Sequence, residues 1–105
     1  MMQLVWEKEA FSLWEDTARY IERQFGYLSM VKYINDTIAV EQELMANPNA
    51  GIEERLLTGG SVLFRSIRLA KHNKLIYYIT DKINIIDIWD TRREPKKQAS
   101  GVSKK

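Results

Sequence analysis

Ser61 to Pro95, SVLFRSIRLAKHNKLIYYITDKINIIDIWDTRREP, is the stretch whose reading decides the fold. β-Branched and aromatic residues fill three runs within it, Val62 to Leu69, Lys74 to Thr80 and Ile83 to Asp90, each bounded by turn-forming or charged residues. The connections, Ala70 to Asn73 and Asp81-Lys82, are too short for a parallel crossover, so the runs are expected to pair antiparallel as a three-stranded meander. In the third run Ile83, Ile85 and Trp89 share one parity and Ile86 and Ile88 the other. Both faces of the sheet therefore carry large apolar side chains, and one face is expected to meet helices while the other stays open.

The residues before this stretch supply the helices. Gln3 to Trp6 is a brief apolar run suited to an N-terminal strand. From Glu7 the spacing turns helical, with Ala10, Leu13, Trp14, Ala18, Ile21 and Phe25 on one stripe and Gly26 as the stop. Tyr27, Met30, Val31, Ile34, Ile38 and Met45 mark a second stripe that ends at Asn47-Pro48. An antiparallel helical hairpin covering one sheet face follows, with both stripes in the core. Ile52 to Leu57 is read as a short helical turn. The fold class is α+β: N-terminal strand, antiparallel helical hairpin, three-stranded antiparallel meander. One domain, residues 1 to 95, is expected, followed by a disordered basic tail over 96 to 105 whose Lys-, Ser- and Gly-rich composition offers nothing apolar to bury.

Charge divides the chain. Up to Leu57 there are five basic residues (Lys8, Arg19, Arg23, Lys32, Arg55) and ten acidic ones, and the eleven basic residues beyond face only Asp81, Asp87, Asp90 and Glu94. The halves thus carry −5 and +7, which sum to the overall +2. Either the sheet half meets an anionic partner, nucleic acid or acidic protein, or the two halves pair with each other. With no cysteine and a single histidine, disulfides and the usual transition-metal ligand sets are excluded, and no cofactor, metal, secretion signal or membrane span is expected; a reducing cytoplasm is the default.

Enzymatic motifs are nearly absent. His72, in the turn between the first two runs, has a titration range suited to acid–base work, but a lone histidine in a polar turn is more often a solvated one. Arg65, Arg68, Arg92 and Arg93 are stronger candidates, because guanidinium groups grip phosphate bidentately and stabilise charge developing at a scissile phosphate. They fit RNA binding, RNA cleavage or an acidic peptide groove equally well. In an antiparallel meander the first strand and the end of the third run the same way, which places these arginines at one end of the sheet. Arg65 and Arg68, three apart, point to opposite faces of a regular strand, with Arg68 on the open one. Trp89 beside them is either a stacking or anchoring residue or part of the core.

The ordered set Val5-Trp6, Ala10, the Pro48 to Gly51 connection, Arg65-Ser66-Ile67-Arg68-Leu69, Leu75-Ile76-Tyr77-Tyr78 and Ile85 to Arg93 resembles the RelE/ParE toxins of type II toxin-antitoxin (plasmid stabilisation) systems of bacteria, over residues 3 to 95. The resemblance implies a cytoplasmic toxin neutralised by a cognate antitoxin that wraps its sheet and helix surfaces, with DNA met only through the antitoxin and no membrane partner. Two activities occur in such toxins. RelE-like members cut mRNA on the ribosome, and in that case Arg68 and Arg92 are the catalytic candidates. ParE-like members bind and inhibit DNA gyrase, with Arg65, Arg68, Trp89, Arg92 and Arg93 as target- or antitoxin-binding candidates. Leu56 to Phe64 contains no lysine or arginine, and no tyrosine or histidine follows Arg93, so the ParE-like, non-enzymatic activity is favoured.

Overall fold

The computed structural model describes residues 1–54 and 61–92. Along the chain come β1 (Leu4–Trp6), α1 (Lys8–Phe25), α2 (Tyr27–Ala46), a 3-10 turn at Pro48–Ala50, β2 (Ile52–Glu53), β3 (Arg65–Ala70), β4 (Asn73–Ile79) and β5 (Ile83–Asp90). The meander is present as β3-β4-β5, with both of its pairings antiparallel. It forms the middle of a five-stranded sheet in the order β1-β5-β4-β3-β2. Two pairings go beyond the sequence expectation. β1 lies parallel to β5, Leu4 opposite Ile83 and Trp6 opposite Ile85, and β2 adds an antiparallel edge to β3 through Ile52 and Ser66. The helical turn expected from Ile52 is corrected accordingly: Ile52 and Glu53 are extended, while Arg55 to Leu57, like Arg93 and the tail from 96, fall outside the described residues.

Helices α1 and α2 meet at Gly26, whose φ of 97° is accessible to glycine at little cost and whose N–H donates to the Glu22 carbonyl at 2.9 Å. Both helices cover one face of the sheet, and the core between consists of Ala10 and Ala18 from α1, Tyr33, Val40 and Leu44 from α2, and Leu69, Leu75, Tyr77, Ile83 and Ile85 from the strands. The α2 stripe is rotated from the expected one. Tyr33, Thr37, Val40 and Leu44 are buried, whereas Tyr27 and Ile38 are exposed. The reason is Thr37, a polar residue that the pattern placed outside: its hydroxyl donates to the Tyr33 carbonyl at 2.8 Å and accepts the Trp14 indole N–H at 2.9 Å. Both polar groups are satisfied, so the burial is tolerated.

Strand β5 departs from simple alternation. Ile76 pairs with Asp87 and the next residue, Tyr77, pairs with Ile85, so Ile86 is an extra residue in the β5 strand. The bulge resets the parity. Ile88 joins the helix-side core, and Ile86 and Trp89 turn to the other face, where they cluster with Ile76. That corrects the parity expected for Trp89 and Ile88. The centre of the second face is also not open: Ile76, Ile86 and Trp89 are 0%, 2% and 2% exposed, with Phe64 and Tyr78 packed against them.

A polar clamp joins the α2–β2 connection to the sheet. The Tyr77 hydroxyl donates to the Pro48 carbonyl at 2.8 Å and accepts the Gly51 N–H at 2.9 Å, and Arg65 Nη1 donates to the Gly51 carbonyl at 2.9 Å. Tyr77→Phe removes both hydroxyl bonds and leaves the buried Gly51 N–H unpaired. Equilibrium denaturation is expected to show a loss of about 1–3 kcal/mol, and an unchanged stability would mean that the clamp holds nothing.

Candidate functional site

The arginines divide between the faces. Arg65 points to the helix side, where its guanidinium is half-buried in the Gly51 clamp. Arg68 is exposed on the opposite face, opposite Lys74 in the β3–β4 register, with Nη1 bonded to the Lys71 carbonyl at 2.7 Å. It borders a cleft of about 330 Å³ shared with Ile52, Ser66, Lys74 and Thr91. Arg92 stands past the end of β5 and lines a groove against α1. Arg68 and Arg92 thus share the expected end of the sheet and not one surface, because the register sends Arg68 outward while Asp90, which holds Arg92, points to the helices.

Trp89 is placed between these elements. Its ring lies 5.1 Å from the Lys74 ammonium, and its indole N–H donates to Asp87 Oδ2 at 3.1 Å. Lys74 is held from its other side by Glu54 Oε2 at 2.9 Å. At 2% exposure Trp89 offers no ring face for stacking, so its contribution is to pack the second face and fix Lys74 beside Arg68. His72 lies half-buried in a two-residue β3–β4 turn, and its carbonyl accepts the Thr91 N–H at 2.8 Å, tying the turn to the end of β5.

Arg92 is a bidentate partner of Asp90: Nε and Nη2 donate to Oδ1 and Oδ2 at 3.1 and 3.0 Å, and the Arg92 backbone N–H also reaches Oδ1 at 2.9 Å. These bonds from Arg92 hold the Asp90 carboxyl below its ordinary value of 3.8, with His72 contributing favourable charge. A lowered folded value stabilises the ionised state, so its contribution is complete above the ordinary pKa and fades as pH falls through the folded one. Asp90→Asn is expected to flatten the acid limb of the stability profile below about pH 4, by less than about 1 kcal/mol given solvent screening. Urea melts at several pH values check this; an unaltered limb would remove Asp90 as its source.

The groove beside Arg92 has a volume of about 780 Å³ and runs between α1, the base of α2 and the β3–β4 turn. Tyr20, Ile21 and Phe25 of α1, Tyr33 of α2, and Asn73 and Ile88 of the sheet line it. The apolar pattern misses Tyr33 because Val31 and Ile34 mark the adjacent arc of α2; the series 30, 33, 37, 40 and 44 carries it. A second surface lies at the hairpin tip, where Phe25, Tyr27 and Leu28 around Gly26 are 68%, 64% and 81% exposed. A glycine stop flanked on both sides by large apolar residues is its sequence signal.

No family model matches the chain, and no match to a curated protein reaches significance. Among solved structures it is similar to a chain described as "Chromosomal ParDE TA system from P. aeruginosa", at a TM-score of 0.68 and 18% identity, over 86% of this chain and 96% of that one. The helical hairpin and sheet are thus an α+β fold of the kind found in a ParDE toxin-antitoxin system, as the sequence resemblance implies.

Proposed function

We propose that the chain is a ParE-like toxin of a type II toxin-antitoxin system, which binds and inhibits DNA gyrase and is neutralised by a cognate antitoxin. The fold likeness supports the toxin reading, and the separation of Arg68 from Arg92 supports binding over cleavage. A ribonuclease of this design needs charge converging on one phosphate. Here Arg68 lies on one face and Arg92 on the other, the latter bonded to Asp90. One observation favours RelE-like cleavage as a second reading: Arg68 and Lys74, directly paired, border the same cleft.

Two measurements decide between them. The purified chain added to a DNA gyrase supercoiling reaction is expected to inhibit it, and induced expression is expected to trigger DNA-damage signalling while translation continues. Translation arrest with codon-linked mRNA cuts that vanish in Arg68→Ala would replace the first reading with the second. The antitoxin is expected to be a small protein with an acidic, amphipathic segment, matching the basic sheet half and the uncovered apolar hairpin tip. With the acidic protein of a neighbouring reading frame as partner, Phe25→Ser/Leu28→Ser should weaken binding by about tenfold or more in calorimetry. The thermal melt should stay in place, since both residues are exposed.

A further inference from the structure

Three features of the α1 groove converge on a ligand independent of the toxin reading. The first is Tyr33. Its side chain is only 3% exposed, lines the groove, and its hydroxyl has no hydrogen-bond partner among the described residues. Thr17 and Asn73 lie near enough to lower its pKa by weak hydrogen bonding, but neither reaches bonding geometry with it, and the Thr17 hydroxyl donates to the Leu13 carbonyl at 2.8 Å. Burial raises the phenol to about 12, so it stays protonated and available as a donor. A buried donor without an acceptor is costly, and a ligand that supplies the acceptor removes that cost.

The second feature is the wall. Tyr20, Ile21, Phe25 and Ile88 present flat and branched apolar surface, and Tyr20 and Phe25 are 50% and 68% exposed at the mouth. The third is charge. Asp16 and Asp90 on the lining offset Lys71 and Arg92, with His72 between, so the rim exerts little net pull on an ion. A volume of about 780 Å³ falls in the range of small-molecule sites.

We propose that this groove binds an uncharged, planar aromatic molecule that carries a hydrogen-bond acceptor on one edge, as aryl ketones and aryl amides do. The ring lies between Tyr20, Phe25 and Ile21, and the acceptor takes the Tyr33 hydroxyl proton in a hydrogen bond.

The test is a titration of the isotope-labelled protein, followed by amide shifts, with three probes of similar size: acetophenone, its carbonyl-free analogue ethylbenzene, and benzoate. Acetophenone is expected to shift groove residues and to bind about threefold to tenfold more tightly than ethylbenzene, the span of one net hydrogen bond. Benzoate should bind more weakly than acetophenone. Tyr33→Phe keeps the ring that stacks on Trp14 at 6.2 Å and should abolish the preference for acetophenone while leaving ethylbenzene binding unchanged. Equal affinity for acetophenone and ethylbenzene, a preference that survives in Tyr33→Phe, or shifts confined to residues outside the groove would each overturn the proposal. Groove shifts that change on dilution without any probe would overturn it as well, by showing that a second copy of the chain fills the site.

Discussion

Trp89→Ala is expected to lower stability by about 3–5 kcal/mol, the range for truncating a fully buried aromatic. For a domain of this size that displaces the melting temperature by roughly 15–30 °C. The loss has three sources. Ile76 and Ile86 lose their largest neighbour and line a cavity, Lys74 loses the ring beneath its ammonium, and the N–H bond to Asp87 disappears. The same substitution separates two roles. A tryptophan waiting on an open face for a partner would leave the melt within a degree or two of the parent, and that result would return Trp89 to the binding surface.

Gly51→Ala is the second large effect. A Cβ at this position would lie 2.5 Å from the Tyr77 hydroxyl, 2.7 Å from the Ser66 carbonyl and 2.8 Å from Tyr77 Cε1. The Ser66 carbonyl belongs to β3 and the Tyr77 ring is fixed in the core, so neither gives way cheaply. Overpacking of this kind costs about 1–3 kcal/mol, and the upper end is expected because displacing Tyr77 also breaks its bonds to Pro48 and Gly51. Denaturant titration gives the number. In Tyr77→Phe the additional penalty of Gly51→Ala should shrink, since the nearest atom is gone; a full, additive penalty would place the clash elsewhere.

The contrast between β3-β4-β5 and the rest shows what a pattern of side chains conveys. The meander was legible because runs of β-branched residues separated by short polar turns admit one local solution. The β1–β5 pairing was not, since residues 4–6 and 83–85 meet only through the fold and no periodicity announces a partner so distant in sequence. Alternation placed Trp89 with Ile85 until the extra residue at Ile86 reversed it, and a bulge inserts no residue type of its own. The arginines illustrate the same limit. Their shared end of the sheet followed from strand direction, and the opposed faces of Arg65 and Arg68 followed from spacing, but the Asp90 bonds that draw Arg92 toward α1 depend on side-chain geometry. In α2 apolar residues occupy two adjacent arcs, and only the Thr37 bonds to Trp14 and Tyr33 decide which arc faces inward.

The parallel contact between β1 and β5 has a bearing on biogenesis. The Ile83 N–H donates to the Gln3 carbonyl and the Glu7 N–H to the Ile85 carbonyl, so β1, which also touches α2 through the Trp6–Glu41 bond, enters the sheet only when the much later β5 is made. Long-range closure of this sort is slow to nucleate. While the nascent chain is still threaded through a ribosome, its helical hairpin has no sheet to lean on. On the toxin reading proposed above, this closure sets a delay between the start of synthesis and competence, an interval in which an antitoxin already present can reach the chain.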